Sequence, residues 1–240
     1  MNNENFNNNS IYAKNFRTNF WSDFLSKAFI MVCCIFSIFL LSFTIVYDYA
    51  PVYGVSMQPT LNKLGGTKSD NVYINKFAKI DYGDIVVVEK FEYNEVNHII
   101  KRVIGLPGDI IEILKDDDGE IYVFRNGYKL VEYYILNIRT TGDPNNLGMK
   151  TTLENFNALM QLEKINPEAT IAEFDQFGRL IVQPNQVFVL GDNRGNSIDS
   201  SVDGPFLMED VVGRVDHVVP YGTKPIEYFL EYYTGINWFK

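Results

Sequence analysis

The sequence predicts a mostly β domain that is preceded by one N-terminal transmembrane helix and interrupted by a helical insertion. Three observations lead to this prediction. A charge-free apolar run lies near the N-terminus, short β-branched segments alternate with Gly and Pro turns, and one segment follows a helical period. The chain has 240 residues, 46% of them hydrophobic, which is ample for a packed core. Its mean hydropathy of -0.09 averages a lipid-facing part with a water-facing part.

The apolar run Ala28–Tyr47 contains no charged side chain. A helix of about 20 residues spans the ~30 Å hydrocarbon core of a bilayer, and Ser37, Ser42 and Thr44 can return their hydroxyls to the helix backbone. A buried core helix is the alternative, but such a helix is rarely apolar on every face. A cleaved signal peptide has an apolar core of only ~7–15 residues. The run therefore predicts an uncleaved transmembrane helix over residues 28–47.

The segments that flank this run predict its orientation. Residues 1–27 are Asn-rich, have no apolar period and carry more basic than acidic side chains, so we expect a mobile cytoplasmic tail. Residues 48–240 are then extracytoplasmic, outside the plasma membrane. The whole chain has a net charge of -9, and since residues 1–27 carry +1, the outer part carries -10. This charge argues against nucleic-acid binding, because that needs a basic face. The only cysteines, Cys33 and Cys34, lie in the span, so the outer part has no disulfide framework.

Short β-branched segments bounded by turn residues make up most of the outer part. Asn126-Gly127 between two of them is a strong hairpin signal. The predicted strands are Asn71–Asn75, Asp84–Lys90, His98–Ile104, Asp109–Leu114, Glu120–Arg125, Lys129–Tyr133, Val187–Leu190 and Val211–Val219.

One segment, residues 137–178, departs from this strand pattern and predicts a helical insertion. Thr151 and Glu154 have the spacing of a capping box, and an apolar helical period follows them. Asn166-Pro167 predicts a second helix start, with Pro at the first helical position.

The last twenty residues, Tyr221–Lys240, are rich in aromatic side chains and leave two interpretations open. The segment could pack on the core of the β domain. It could instead place Tyr232, Tyr233, Trp238 and Phe239 at the membrane interface, where aromatic side chains are enriched.

Three segments carry residues suited to chemistry. Gly54–Leu61 contains Ser56, His98–Asp109 contains Lys101, and Gly191–Ser200 contains Ser197. Each segment also has a purely structural interpretation. Ser56 could lie in an ordinary turn, Lys101 could extend its amine to water, and the segment with Ser197 could be a loop whose side chains bond its own backbone. Two of them together suggest a nucleophile and its base, because a lysine on an apolar strand face loses its charge and can then activate a hydroxyl.

Strand alternation would place Ile99, Lys101 and Val103 on one face. Lowering the amine pKa from ~10.4 to near 7 needs on the order of 4–5 kcal/mol. Burial and the neighbouring Arg102 are the expected sources of that free energy.

These segments resemble the signature boxes of type I signal peptidases, the membrane-anchored Ser-Lys proteases that remove signal peptides. The likeness runs in order through the anchor, SMQPT, YGDIVVV, KRVIGLPGD and FVLGDNRGNSIDS, and includes the hairpin VFRNGYKLVEYYI. The Asn-rich tail and the 137–178 insertion lie outside it. The resemblance implies a signal-peptidase-like β domain with an apolar surface near its active site.

The resemblance also implies roles for individual residues. Ser56 matches the nucleophile, Lys101 the general base, and Ser197 the hydroxyl that orients the lysine amine. The Ser56 N–H would be one oxyanion donor. Gly54 stands where some members have a hydroxyl residue, so a second donor must come from elsewhere. The boxes also supply Gly191 and Arg102 as supporting residues.

Asp199 matches a structural acid of the last box. Its usual arginine partner is replaced by Ser201, so we expect that ion pair to be missing or rerouted to Arg194 or Arg102. The family cuts after small residues, which implies shallow pockets beside Ser56. The candidate lining residues are Val55, Met57, Leu61 and Ile99.

The function implied is a serine endopeptidase that acts on precursor proteins bearing signal peptides, at the lipid bilayer, with the protein-export channel as a further candidate partner. No metal ion or cofactor is expected. His98 is an alternative base, because a His replaces the lysine in eukaryotic-type relatives. The rival functions are a self-cleaving repressor, which the predicted span and the acidic charge oppose, and an inactive or specialised homologue that processes or binds a narrow substrate set.

Overall fold

The computed structural model describes residues 4–63, 68–135 and 147–225, together with residues 227, 228 and 232. The chain divides into two compact units, Met1–Val46 and Tyr47–Lys240.

The first unit is one helix, α1, over Glu4–Val46. Its part from Phe20 to Val46 is long and apolar enough to cross a membrane. The hydroxyls of Ser37, Ser42 and Thr44 donate to backbone carbonyls three or four residues earlier, as predicted. These bonds satisfy the hydroxyls inside the helix, which suits a segment surrounded by lipid.

The structure extends α1 back to Glu4, into the segment 1–27 for which the sequence predicts a tail without an apolar period. A segment without an apolar period can still be helical when it extends a helix that has already formed. Adding a residue to an existing helix costs far less free energy than forming its first turn. The helix ends at Val46, and Tyr47 already belongs to a strand.

The second unit is built from two antiparallel sheets. Its strands are β1 Tyr47–Pro51, β2 Asn71–Asn75, β3 Ile85–Glu92, β4 Glu95–Gly105, β5 Ile110–Lys115, β6 Ile121–Arg125, β7 Tyr128–Lys129, β8 Glu173–Phe174, β9 Leu180–Ile181, β10 Gln186–Leu190, β11 Phe206–Leu207 and β12 Val211–Val219. Its helices are α2 Leu147–Ile165 and α3 Ser200–Asp203, with short 3₁₀ turns at Pro167–Ala169 and Met208–Asp210. One sheet has the order β1-β2-β12-β3-β4-β10-β11, and the other has the order β7-β6-β5-β9-β8.

The mostly β fold is therefore confirmed, and every predicted strand exists. The predicted Lys129–Tyr133 is shorter, since β7 is only Tyr128–Lys129. The strands β1, β8, β9 and β11 were not predicted. Three of them have two residues each, which is too short to show an alternating pattern.

The insertion is helical, but its predicted start is wrong. The helix α2 already includes Leu147, so Thr151 lies inside it and cannot be its N-cap. The second predicted start is confirmed, because Asn166 caps a 3₁₀ turn with Pro167 at its first position. The segment 137–178 also contains β8, and its residues up to 146 lie outside the described part.

The strands β3 and β4 form the centre of the larger sheet. Their register pairs Val86 with Lys101 and Val88 with Ile99. Val86, Val88 and Val103 belong to one core cluster, and Ile99 packs against it, so one face of both strands is apolar. Lys101 lies on that face, as the alternation predicts.

The described part of the C-terminal segment packs on β12. The rings of Tyr228 and Tyr232 meet His217 edge-on, with centroids 6.2 and 5.0 Å away. Tyr233, Trp238 and Phe239 lie outside the described residues. The structure thus supports packing on the domain for these two tyrosines.

Candidate active site

Ser56 lies in a turn of the long connection between β1 and β2, and hydrogen bonds from the backbone and from one side chain hold this turn in place. The N–H of Gln58 donates to the Val55 carbonyl at 3.1 Å, which closes a turn around Ser56. Asn62 Nδ2 donates to the carbonyls of Val52 and Gly54 at 2.8 and 3.0 Å. The serine is therefore presented on an ordered turn.

Gly54 adopts a φ of +88°, a conformation that side chains beyond glycine rarely take. A side chain at this position would therefore be strained. Any second oxyanion donor is therefore a group other than the side chain at this position.

Lys101 brings its amine to Ser56. The side chain is 3% exposed, and Nζ lies 2.9 Å from Ser56 Oγ. The same amine donates to the Ile100 carbonyl at 3.1 Å. A neutral amine in this position can accept the serine proton, because the two atoms are already within hydrogen-bond distance.

Burial lowers the pKa of Lys101 from its ordinary value. The nearby carboxylates of Asp199 and Asp203 oppose this effect, and the cation of Lys90 adds to it. Arg102, which the sequence suggested as the helping cation, does not act this way. Its guanidinium forms two hydrogen bonds with Asp192, at 2.8 and 2.6 Å.

His98 is half-exposed on β4 and pairs with Glu89 at 3.4 Å. The hydrogen bond to Ser56 comes from Lys101 instead. The geometry therefore favours the lysine over the histidine as a base.

The loop that begins at Gly191 lies directly against the Ser56 turn. The N–H of Asn193 donates to the Ser56 carbonyl at 2.9 Å, and its Nδ2 donates to the Val55 carbonyl at 3.1 Å. A Cβ on Gly191 would lie 2.6 Å from the Ser56 carbonyl oxygen, so only glycine fits there without a shift.

The sequence analysis did not assign a role to Asp192 or Asn193, which tie this loop to the rest of the site. Asp192 is fully buried and bonds both Arg102 and Thr60, so it links β4 with the Ser56 loop. The GDN triplet is the available signal in the sequence, since it belongs to the box FVLGDNRGNSIDS, but its resemblance to the family assigns roles to other residues of that box.

Ser197 does not make the contact that was predicted for it. Its Oγ is buried and has no hydrogen-bond partner among the residues that the structure describes. The Lys101 amine is oriented by Ser56 and by the Ile100 carbonyl, the acceptor next to it in the chain. Ser197 and Lys101 do line the same small cavity.

Asp199 is not paired with an arginine, so the predicted rerouting to Arg194 or Arg102 is wrong. One of its oxygens accepts from the Gly191 N–H at 2.9 Å. The other accepts from the N–H and the hydroxyl of Ser201, at 3.1 and 2.8 Å. Neutral donors therefore satisfy this buried carboxylate, and Ser201 supplies two of them in place of the usual arginine.

Arg194 pairs instead with Glu132, a residue that the sequence analysis did not consider. The guanidinium lies 2.5 Å from the carboxylate, and both side chains are at most 5% exposed. Arg194 Nε also donates to the Gly191 carbonyl at 2.9 Å. This pair fixes the Gly191 loop to the segment that follows β7.

Two cavities meet at Ser56 and Lys101. The larger has a volume of about 560 Å³ and a largely apolar lining that includes Met57, Ile74, Val87 and Ile99. The smaller has a volume of about 480 Å³, and its lining includes the charged side chains of Lys90 and Glu92 and the hydroxyl of Ser197.

The predicted pocket residues divide between these cavities. Met57 lines the larger one, Val55 the smaller one and Ile99 both. Leu61 lines neither, because it is 1% exposed and packs into a core cluster beneath the Ser56 loop.

Comparison with known proteins identifies the class of this chain. The profile of the family described as signal peptidase, peptidase S26, matches residues 22–220. The chain belongs to this family of peptidases that remove signal peptides.

Individual relatives are similar over most of their length. Signal peptidase I P of Bacillus subtilis subsp. natto is 32% identical over 175 residues, which cover 71% of this chain and 75% of that protein. Signal peptidase I of Bacillus caldolyticus is 32% identical over 200 residues, which cover 78% and 85%. The crystal structure of a signal peptidase I from Enterococcus faecalis V583 is 24% identical with a TM-score of 0.38, and the match covers 57% of this chain and 97% of that one.

Proposed function

We propose that this chain is a membrane-bound serine endopeptidase that removes N-terminal signal peptides from secreted precursors, with Ser56 as nucleophile and Lys101 as general base. The observation that supports this most directly is the 2.9 Å separation between the buried Lys101 amine and the Ser56 hydroxyl oxygen. Family membership supports the substrate class.

The first step is acyl transfer to the serine. Neutral Lys101 takes the Ser56 proton while Ser56 Oγ attacks the carbonyl carbon of the scissile bond. The resulting ammonium then gives this proton to the leaving amine. The Ser56 N–H, which donates no hydrogen bond to any described residue, is available to the oxyanion.

The second step is hydrolysis of the acyl-enzyme. The same amine, neutral again, takes a proton from water while the water oxygen attacks the ester carbon. The bond between the acyl carbon and Ser56 Oγ then breaks, and the ammonium returns the proton to Ser56 Oγ, which releases the carboxylic acid product and restores the neutral amine. When Ser56 Oγ bonds to the carbonyl carbon, its hydrogen bond with the Lys101 amine is lost. The protonated amine then needs another hydrogen-bond acceptor. The unpartnered Ser197 hydroxyl in the same cavity is the group we assign to that task.

The substrate lies across both cavities. The larger cavity receives the small apolar residues before the cut, because its lining is largely apolar and it adjoins Ser56. The smaller cavity, which the charged side chains of Lys90 and Glu92 line, then receives the residues after the cut.

The location follows from the helix Phe20–Val46, which we propose spans the plasma membrane once. The N-terminus lies in the cytoplasm, in agreement with the positive-inside rule, and residues 48–240 are extracytoplasmic. A serine soon after the span in the chain suits substrates that emerge from the protein-export channel with their signal peptides in the bilayer.

The test is cleavage of a secreted precursor by the full-length chain in detergent micelles. We expect Ser56→Ala and Lys101→Ala each to lower kcat/KM by roughly 10³-fold or more, because each removes one half of the acid–base pair. Lys150→Ala, at an exposed lysine on α2, is the matched control and should leave the rate unchanged.

Equal cleavage by all the variants would overturn the assignment of the pair. Absence of cleavage by the wild type with several precursors would favour the inactive or specialised homologue. The structure weakens the two reasons for that alternative, since Gly54 is required by its backbone conformation and Ser201 satisfies Asp199.

A further inference from the structure

A second lysine shares the smaller cavity with Lys101. Lys90 lies on β3, which pairs with β4 so that Val86, Val88 and Lys90 face the same way as Lys101 and Ile99. The Lys90 side chain is only 15% exposed. Because little water surrounds Lys90, the interaction between its charge and the amine of Lys101 is only weakly screened.

Two carboxylates hold Lys90 in place. Its Nζ lies 2.9 Å from an Asp203 oxygen and 3.5 Å from a Glu92 oxygen. Although burial opposes the charged form, these carboxylates raise the pKa of Lys90 above its ordinary value. Lys90 thus remains an ammonium across the pH range in which Lys101 titrates.

We propose that Lys90 is a positioning residue for the reaction, whose ammonium, held by Asp203, adds like-charge repulsion to the burial that already favours the neutral amine of Lys101. The inference rests on the proposed function, because it concerns the base of that reaction. It assigns to Lys90 the task that the sequence alone suggested for Arg102.

The remaining charged groups near Lys101 do not supply this repulsion. Asp199, the N-cap of α3, carries a charge that attracts a Lys101 cation, as Asp203 does. Arg102 pairs with Asp192 and Arg194 with Glu132, and neither guanidinium is among the charges that shift the pKa of Lys101. Asp48 and His98 line the larger cavity, and His98 faces Glu89. Glu92 lines the smaller cavity beside Lys90.

Removal of the Lys90 charge has two effects of the same sign. The repulsion disappears, and the Asp203 carboxylate loses its partner and attracts a Lys101 cation more strongly. Both effects stabilise the protonated, inactive form of Lys101. Removal of the Asp203 charge has the opposite effect, because Lys90 then repels without compensation.

The experiment is the pH profile of kcat/KM for precursor cleavage by the full-length chain in micelles. We expect Lys90→Gln to move the acid limb to higher pH by about half a unit or more, so that activity below the limb falls about threefold or more. Asp203→Asn should move the limb to lower pH. Lys90→Arg and the exposed control Lys150→Gln should leave it in place.

The double variant Lys90→Gln/Asp203→Asn distinguishes electrostatics from damage to the fold. If the pair acts through charge, the limb returns towards its wild-type position. If Lys90→Gln lowers activity equally at every pH, or the double variant is no closer to wild type, the proposal is overturned. These outcomes are separate from failure of the proposed function, in which Lys101→Ala would remain active.

Discussion

Single residues decide the chemistry that the Ser56 turn can perform. Lys101 is a poor base in water, and its burial on an apolar strand face makes the neutral amine accessible. Gly54 adopts a positive φ, which side chains beyond glycine rarely allow. Gly191 has no Cβ, so the Ser56 carbonyl can lie close to its backbone. Two glycines and one lysine thus determine where the serine lies and what it meets.

Gly191→Ala should lower kcat/KM for precursor cleavage strongly and the free energy of unfolding only moderately. The new Cβ would meet the Ser56 carbonyl and the Ser197 side chain, so the turn or the loop must move. We expect a loss of at least tenfold in kcat/KM and about 1–3 kcal/mol of stability, the typical cost of overpacking. Cleavage assays and denaturant titrations followed by circular dichroism would measure both.

The control is Gly119→Ala, in a turn between β5 and β6. It also has a positive φ, but its nearest neighbour to a new Cβ is a flexible lysine carbon at 3.8 Å. This variant should lose some stability and retain its activity. Normal cleavage by Gly191→Ala would show that the close approach is not required.

At the level of elements, the insertion supports the loop that carries Ser197. Thr152 on α2 lies 3.3 Å from the Arg194 carbonyl, within hydrogen-bond distance. A Cβ on Gly148 would come 3.0 Å from the Gly195 nitrogen, so α2 and the loop approach closely. The helix outside the family resemblance is therefore part of the framework of the site.

The ion pair between Arg194 and Glu132 should be a main determinant of stability. Glu132→Gln would leave a buried guanidinium without its counter-charge, which typically costs about 3–5 kcal/mol. The free energy of unfolding from denaturant titration is the measurement. Glu154→Gln, which breaks an exposed pair with Lys150, is the matched control and should cost less than about 1 kcal/mol.

A loss of less than about 1 kcal/mol in Glu132→Gln would contradict this account. We also expect kcat/KM to fall, because Arg194 holds the Gly191 carbonyl and Gly191 adjoins Ser56.

For the whole molecule, the chain combines an apolar helix with a water-exposed β unit, each suited to a different solvent. The large side chains along α1, such as Phe29 and Ile38, are more than 60% exposed, which would be unfavourable in water. On the β unit, buried residues such as Ile111, Phe156 and Phe188 form a packed core. This contrast supports the proposed membrane span.

The double variant Ile35→Arg/Ile38→Arg should release the chain from membranes. Each arginine near the centre of a span costs about 2.5–3.5 kcal/mol for insertion. Alkaline carbonate extraction should leave the wild type in the pellet and shift the variant towards the supernatant. Ile165→Arg, at an 81% exposed position of α2, is the control and should remain in the pellet. Extraction of the wild type itself would contradict the proposed span.

Much of this organisation is predictable because it is local. The span, the β-branched segments and the order of the sequence boxes can be identified in windows of about ten to twenty residues. The start of α2 was predicted wrongly, and β1 was missed, because both depend on what the segment contacts. The same reason explains why Glu132 and Lys90 were not considered.

The sequence by itself determined the class of the protein, its apolar helix and the residues Ser56 and Lys101 as candidates. Only the tertiary structure decided how the buried charges are paired. Arg102 bonds Asp192, Arg194 bonds Glu132, and Lys90 approaches the cavity of Lys101. The physical reason is that electrostatic interactions depend on distance and burial, and packing brings these groups together from segments that are far apart in the chain.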